Sequence, residues 1–322
     1  MSTSLQSLAR ARSGWAAILR LLPVAVAAVI GAQNGLQITL TRYLADKVPP
    51  ATLALGRYVV ALALLGPLAL ATIRFRLRVR DLAPIGFLGV LNFGVMIAVQ
   101  NHALLFLPSG RGALIFATFP FFTLLFSTVL GFERMSLAKL IGVLLTVVGV
   151  AMVLGDKVLA SSGLAADWRG EALMLASAVL AATCSTFYRP YVQRYPALAV
   201  GSFAILCADA ALLPAMAAEG PSASLAALSV VGWLAIVVVG VMSAVFYWLW
   251  LWALGRLAPT RVTVFHALSP ATAAVAGAVF LGEPMAATFL LGLATVIAGF
   301  VVAYRREPRR PLPTGRGPRP KS

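Results

Sequence analysis

The sequence predicts an all-α integral membrane protein of ten transmembrane helices, arranged as two inverted five-helix repeats. Three observations predict it. Of the 322 residues, 61% are hydrophobic and 11% are charged. An average soluble domain carries about 25% charged residues, so this chain lacks the polar groups to coat its own surface and lipid must cover it. The apolar residues also fall into ten runs of membrane-crossing length, about 20 residues each. Finally, the second half of the chain repeats the first at a fixed offset.

The runs are taken in order. Arg10, Arg12 and Arg20 precede an apolar stretch, as in a signal peptide, but the stretch continues through Gln33, Asn34 and Gln37 to Thr41. That is too long for a signal h-region, so Leu21–Thr41 reads as an uncleaved first helix behind a cytoplasmic segment 1–20. The further runs are Ala51–Ile73, Leu82–Phe106, Gly112–Leu130, Leu137–Gly155, Gly170–Arg189, Leu198–Ala218, Val231–Trp252, Ala258–Leu281 and Ala286–Tyr304. Breakers such as Val48-Pro49-Pro50, Pro108-Ser109-Gly110, Gly220-Pro221-Ser222 and Glu283-Pro284 separate many of them. Their length and lack of strict alternation exclude barrel strands. The expected units are a repeat at 21–155, an extracytoplasmic linker at 156–169 and a second repeat at 170–304. A Pro- and Arg-rich tail at 305–322 has too few apolar residues to fold and is expected to be disordered.

The formal charge is +16. In a soluble protein this would suggest nucleic acid. Here the basic residues sit in loops and at the ends, where they set orientation. With ten spans, 20 of the 26 basic residues fall on the side of both termini, including Arg74, Arg76, Arg78 and Arg80. That side should be cytoplasmic, in a cell (inner) membrane. Cys184 and Cys207 lie inside apolar runs and fit no metal or redox spacing.

An offset of 150 overlays Ala103–Gly155 on Ala253–Arg305 without a gap, with 12 identities in 53 positions. Abundant Ala and Leu give some matches by chance, but rare residues join them: Arg111 with Arg261, Pro120 with Pro270, Glu133 with Glu283. Gly142 with Gly292 and Gly149 with Gly299 continue the series. Five spans per repeat is an odd number, so the second copy enters from the opposite face. The charges agree: the basic loop at 74–80 has no basic counterpart at 224–230. Inverted repeats of this kind are common in secondary transporters.

With these motifs in hand, the chain resembles the drug/metabolite transporter superfamily in its ten-helix EamA-type form. The resemblance is carried by Arg57-Tyr58 after Pro49-Pro50 and by the stretch from Ala103 to Ser136, with Pro108-Ser109-Gly110-Arg111 and Gly131-Phe132-Glu133-Arg134-Met135. The second-half copy, Ala253 to Met285, carries Ser269-Pro270 and Leu281-Gly282-Glu283-Pro284-Met285. It implies a carrier, commonly an exporter, without a nucleotide-hydrolysing domain. The sequence holds no Gly-rich Lys-Ser/Thr phosphate loop either.

A polar side chain deep in lipid is costly and marks function or packing. Candidate substrate-binding residues are Gln33, Asn34 and Gln37 in span one, Asn92 in span three, Tyr247 and Trp248 in span eight, and His266 in span nine. Asn34, Gln37 and Thr41 share one helical face; they would either meet substrate or hydrogen-bond between helices. Asp209, an acidic residue near the middle of a run, would carry a coupling proton or pair with Arg57, which lies within partial reach of the interface. Arg111 and Arg261 begin equivalent helices as gates or interfacial anchors. Glu133 and Glu283 precede equivalent helices and would stabilise their N-termini, and the paired glycines would allow close packing.

These readings favour a secondary carrier working by alternating access, its site lined by spans one, three and four and their counterparts six, eight and nine. Its expected partners are a small-molecule substrate and the bilayer, with protons as a candidate coupling ion, and no nucleic acid. No cofactor or metal is expected, and monomer and homodimer both stay open. A lipid or lipid-linked sugar translocase is the alternative. An intramembrane enzyme fits less well, because the histidines and Asp209 form no metal or nucleophile set.

Overall fold

A computed structural model describes residues 25–305 apart from 27, 73–76, 133–134, 161–167, 258, 284 and 286. Segment 1–20, the tail beyond Arg305, Glu133 and the middle of the expected linker lie outside the described residues. No strand occurs among the described residues. The helices are α1 (28–45), α2 (Pro50–Thr72), α3 (Val79–Ala103), α4 (Ser109–Val129), α5 (Leu137–Ala160), α6 (Arg169–Arg194), α7 (Ala197–Glu219), α8 (Val230–Leu254), α9 (Pro259–Leu281) and α10 (Ala287–Arg305). A short turn, Ser222–Ala226, precedes α8.

Several boundaries differ from the sequence reading by three to five residues. Helix α1 runs past Thr41 to residue 45, α5 continues five residues into the expected linker, α6 runs on from the expected Arg189 to Arg194, and α3 and α4 each start three residues early. By length and composition α2, α3, α4, α6, α7 and α8 can each cross a bilayer; Leu137–Val153, Leu268–Leu281 and Ala287–Gly299 are shorter apolar helices. Helix α9 falls short as a continuous helix because it is broken near its middle. Large apolar side chains such as Leu70, Phe87, Val129 and Phe280 are exposed on the outside of the bundle, as lipid-facing positions would be.

The packing has two-fold character. Helix α2 packs on α8, and its counterpart α7 packs on α3; α3 and α4 pack on α6, while α8 and α9 pack on α1. The self-equivalent pairs α2·α7, α4·α9 and α5·α10 are also in contact. At the α5·α10 crossing a Cβ on Gly149 would lie 2.6 Å from the Gly292 carbonyl oxygen, and one on Gly292 would lie 2.6 Å from that of Gly149. Gly142 faces Gly299 in the same way. Early residues of one helix thus meet late residues of the other, so the two equivalent helices run antiparallel. That relation is an inverted repeat. The glycines are required here because backbone meets backbone.

Glutamates from the second half cap helices of the first. Glu283 accepts from the Ser109 N–H at 3.0 Å and from the Ser109 hydroxyl, at the start of α4. The expectation that it would serve the helix following it is corrected. Gly282 has φ 66°, a left-handed turn that brings the carboxylate back towards α4, where no local side chain caps the first turn. Glu219 likewise accepts from the N–H groups of Ala51 and Thr52, each at 2.8 Å, and from the Thr52 hydroxyl. At the opposite end of the bundle, Asp81 of α3 accepts from Tyr195 and Arg194. These contacts tie the two halves together at both ends.

Candidate functional site

The fourth helix of each half is interrupted at the same level. Helix α4 turns at Ala117-Thr118, between the segments Ser109–Phe116 and Phe119–Val129. Helix α9 passes through a 3-10 stretch, Val264–Ala267. Pro120 and Pro270 follow at equivalent positions. Each lacks an N–H, so the carbonyl four residues earlier loses its helical partner. Helix α3 carries a third irregularity, a π-helical stretch at Val90–Val95 with Asn92 buried in it. Such π-turns recur at functional sites, and irregular backbone at membrane depth is tolerated where it borders protein or a cavity.

These breaks surround one cavity, lined by Asn34 of α1, Asn92, Met96 and Gln100 of α3, Phe116 and Phe119 of α4, Ala181 of α6, Phe246, Tyr247 and Trp250 of α8, and His266 of α9. The six contributing helices are the first, third and fourth of each half. The cavity is narrow, with room for water rather than for a metabolite. Its wall is largely aromatic. The His266 ring meets Phe119 edge-on at 5.1 Å and Phe246 at 5.8 Å; Tyr247 meets Phe93 at 4.7 Å and Trp250 at 6.1 Å. Side chains locked edge to face keep the wall's shape.

Close backbone approach sets the α1 side. A Cβ on Gly31 would collide with the Phe265 carbonyl, and one on Gly35 with the Ser269 carbonyl and Thr272. This brings Asn34 Nδ2 within 3.0 Å of Ser269 Oγ. Asn92 Nδ2 and Trp250 Nε1 are buried without hydrogen-bond partners, and His266 Nδ1 has none of normal geometry.

Of the expected binding residues, Asn34, Asn92, Tyr247 and His266 are thus brought together. Gln33 and Gln37 are not: their amides donate to α8, Gln33 to the Met242 carbonyl at 2.6 Å and Gln37 to Ser243 Oγ at 2.5 Å. Each is satisfied by the neighbouring helix, so the shared face with Asn34 splits between two partners. Trp248 points outward and is 42% exposed, because adjacent helical positions sit about 100° apart and Tyr247 already faces inward.

The expected pairing of Arg57 with Asp209 is not formed. Arg57 is buried, does not snorkel, and donates from Nε to Ser243 Oγ at 3.0 Å. Both Asp209 oxygens lack a hydrogen-bond partner. Arg111 pairs with Glu171 at 3.3 Å, joining the starts of α4 and α6; the Arg261 side chain lies outside the described residues.

Sequence reading missed Met96, Gln100, Phe116, Phe119, Ala181, Phe246 and Trp250 as lining residues. Met96 and Gln100 follow Asn92 at steps of four, and Trp250 follows Phe246 likewise, so helical periodicity carried that signal. Ala181 gave none.

The EamA-like transporter family model matches the chain twice, at residues 14–155 and 168–305. A "Probable terminal-alkyne amino-acid exporter" from Streptantibioticus cattleyicolor is 30% identical over 80% of this chain and 84% of its own length. A "Probable amino-acid metabolite efflux pump" from Salmonella typhimurium is 27% identical over 73% of this chain and 85% of its own. An "Uncharacterized transporter" from Archaeoglobus fulgidus is 25% identical over 85% and 95%. A crystal structure covering 87% of this chain and 96% of its own superposes with a TM-score of 0.67 at 20% identity, which supports the fold alone.

Proposed function

The chain belongs to the EamA-like transporter family, and from that premise we propose that this multi-pass membrane protein is a secondary carrier of the inner membrane. It exports a small metabolite, an amino acid or related compound, by alternating access. All ten helices cross the bilayer, and both termini face the cytoplasm. The names of the relatives support the substrate class, and the basic loop around Arg78 and Arg80 supports the orientation.

The observation that carries this reading is the cavity lined by three equivalent helices from each half. A site shared by two inverted halves opens to one side or the other when the halves rock. Contacts at both ends tie the two halves together around it, and on this reading the arrangement is the occluded one. The cycle breaks the Glu283–Ser109 and Glu219–Thr52 contacts at one end, then the Asp81–Tyr195 contact at the other. It makes and breaks no covalent bond, which is why a carrier and not an enzyme fits. The driving force is the substrate gradient or proton exchange; Asp209, buried without a partner, is the candidate proton carrier.

The test is uptake into proteoliposomes with labelled amino acids, nucleosides and sugars. Faster uptake of an amino acid than by empty vesicles supports the proposal. Labelled lipid flipping while no small metabolite moves would favour a lipid translocase instead.

A further inference from the structure

Two hydrogen-bond donors on the cavity wall have no protein group to donate to. Asn92 is 1% exposed and Trp250 is 3% exposed. Neither Asn92 Nδ2 nor Trp250 Nε1 has a partner, and both side chains line the same cavity. Leaving a buried donor unsatisfied is unfavourable, and most native proteins avoid it. Neither residue lacks contacts otherwise. Trp250 is held edge-on between Tyr188 at 6.2 Å and Tyr247 at 6.1 Å. Asn92 sits in the π-helical stretch of α3, which packs on α7. The rest of the lining is uncharged apart from titratable His266, and it is rich in aromatic rings.

We infer that Asn92 and Trp250 form an acceptor-binding subsite for a substrate that is net-uncharged, carries a carbonyl-type oxygen, and has an apolar or aromatic body. The oxygen accepts from the Asn92 amide and the Trp250 indole N–H, and the body lies against Phe116, Phe119 and Phe246 once the two halves move apart enough to widen the cavity, which in the present arrangement holds only water-sized groups. With no fixed charge on the wall, a zwitterion or neutral derivative is admitted, whereas a substrate of net charge would lose its hydration without a counter-charge. A carboxylate and an amide both supply the oxygen. This deepens the carrier proposal and rests on it.

The test uses the full-length protein, in detergent for binding and in proteoliposomes for transport. Three probes share one aromatic body: phenylalanine, its N-acetyl amide, and the decarboxylated amine phenethylamine. Binding is read by intrinsic fluorescence and thermal shift. The wild-type protein is expected to bind the first two and to bind phenethylamine at least tenfold more weakly. Trp250→Phe keeps the ring and removes the N–H; it should weaken the amide about fivefold and the carboxylate about tenfold or more, since charged acceptors gain more from a donor. Phenethylamine binding should not change. Asn92→Leu provides a second variant should Trp250→Phe fold poorly, with the same ordering expected. Phenethylamine bound as tightly as phenylalanine, or equal acid binding by wild type and both variants, overturns the subsite while leaving the carrier reading intact. No binding or transport of any of the three probes likewise overturns the subsite, while the carrier reading is decided separately by the panel of amino acids, nucleosides and sugars.

Discussion

Glu283→Ala is the perturbation whose effect can be worked out most fully. The Glu283 carboxylate accepts the Ser109 N–H through both oxygens at 3.0 Å, and the Ser109 hydroxyl as well. Removing it leaves the hydroxyl its contact with the Ala273 carbonyl at 3.3 Å, but leaves the first N–H of α4 without an acceptor. The lost charge-assisted bond is worth about 1.5–3 kcal/mol, and the lost charge at the helix N-terminus adds about 0.3–1 kcal/mol. The total is about 2–4 kcal/mol. Glu283→Gln keeps a neutral acceptor and should lose about half as much, since charged hydrogen bonds are roughly twice as strong. Because the contact joins the two halves at one end, its loss should also open that end. The assay pairs a thermal melt in detergent with thiol labelling of Ala181→Cys from the Ser109 end, in a background lacking Cys184 and Cys207. The alanine variant should melt lowest and label fastest, with the glutamine variant between it and the parent. Equal melting and equal labelling in all three would refute the assignment of Glu283 as a tie between the halves.

Four further outcomes are expected. Asn34→Ala should lower transport without lowering membrane abundance, read by uptake against immunoblot signal, because Asn34 lines the cavity; unchanged uptake would return it to a packing role. Ser243→Ala removes the acceptor shared by Arg57 and Gln37; Gln37 keeps the Val239 carbonyl at 3.4 Å, so the loss falls chiefly on the buried Arg57 Nε–H, at about 1–3 kcal/mol, and a melting midpoint equal to the parent's would contradict this. Gly149→Val and Gly292→Val should each destabilise by about 1–3 kcal/mol through overpacking. Their double variant should cost less than the sum, because the first side chain already separates the helices; full additivity would argue against a shared crossing. Cysteines at Arg78 and Ser224 should label from opposite faces of the membrane, and labelling from one common face would contradict the inverted arrangement.

The fold was legible because its signals are repetitive. Apolar runs mark helices by length alone, and rare residues at one offset, such as Arg111 with Arg261 and Glu133 with Glu283, expose the duplication. The glycine pairs were read as contact points, and the structure places them against one another. The site was legible in part. Asn34, Asn92 and His266 stood out because polar groups are rare in lipid. The same rule also picked out Gln33 and Gln37, which donate to α8 and do not line the cavity, since the cost of burial is met equally well by a neighbouring helix. Polarity alone cannot tell a cavity from an interface. Phe116, Phe119 and Trp250 escaped notice because an aromatic residue in an apolar run looks like any other lipid-facing residue. The destination of Glu283 was hidden for another reason: its partner Ser109 is 174 residues away, and only the turn at Gly282 aims the carboxylate at it.

The central claim is that one cavity, built equally by two inverted halves, opens in turn to each side of the membrane. The most direct measurement is labelling of Ala181→Cys by a membrane-impermeant thiol reagent applied to each face of oriented vesicles separately. The account predicts reaction from both faces and protection by a transported amino acid. Reaction confined to one face, whatever substrate is present, would contradict it.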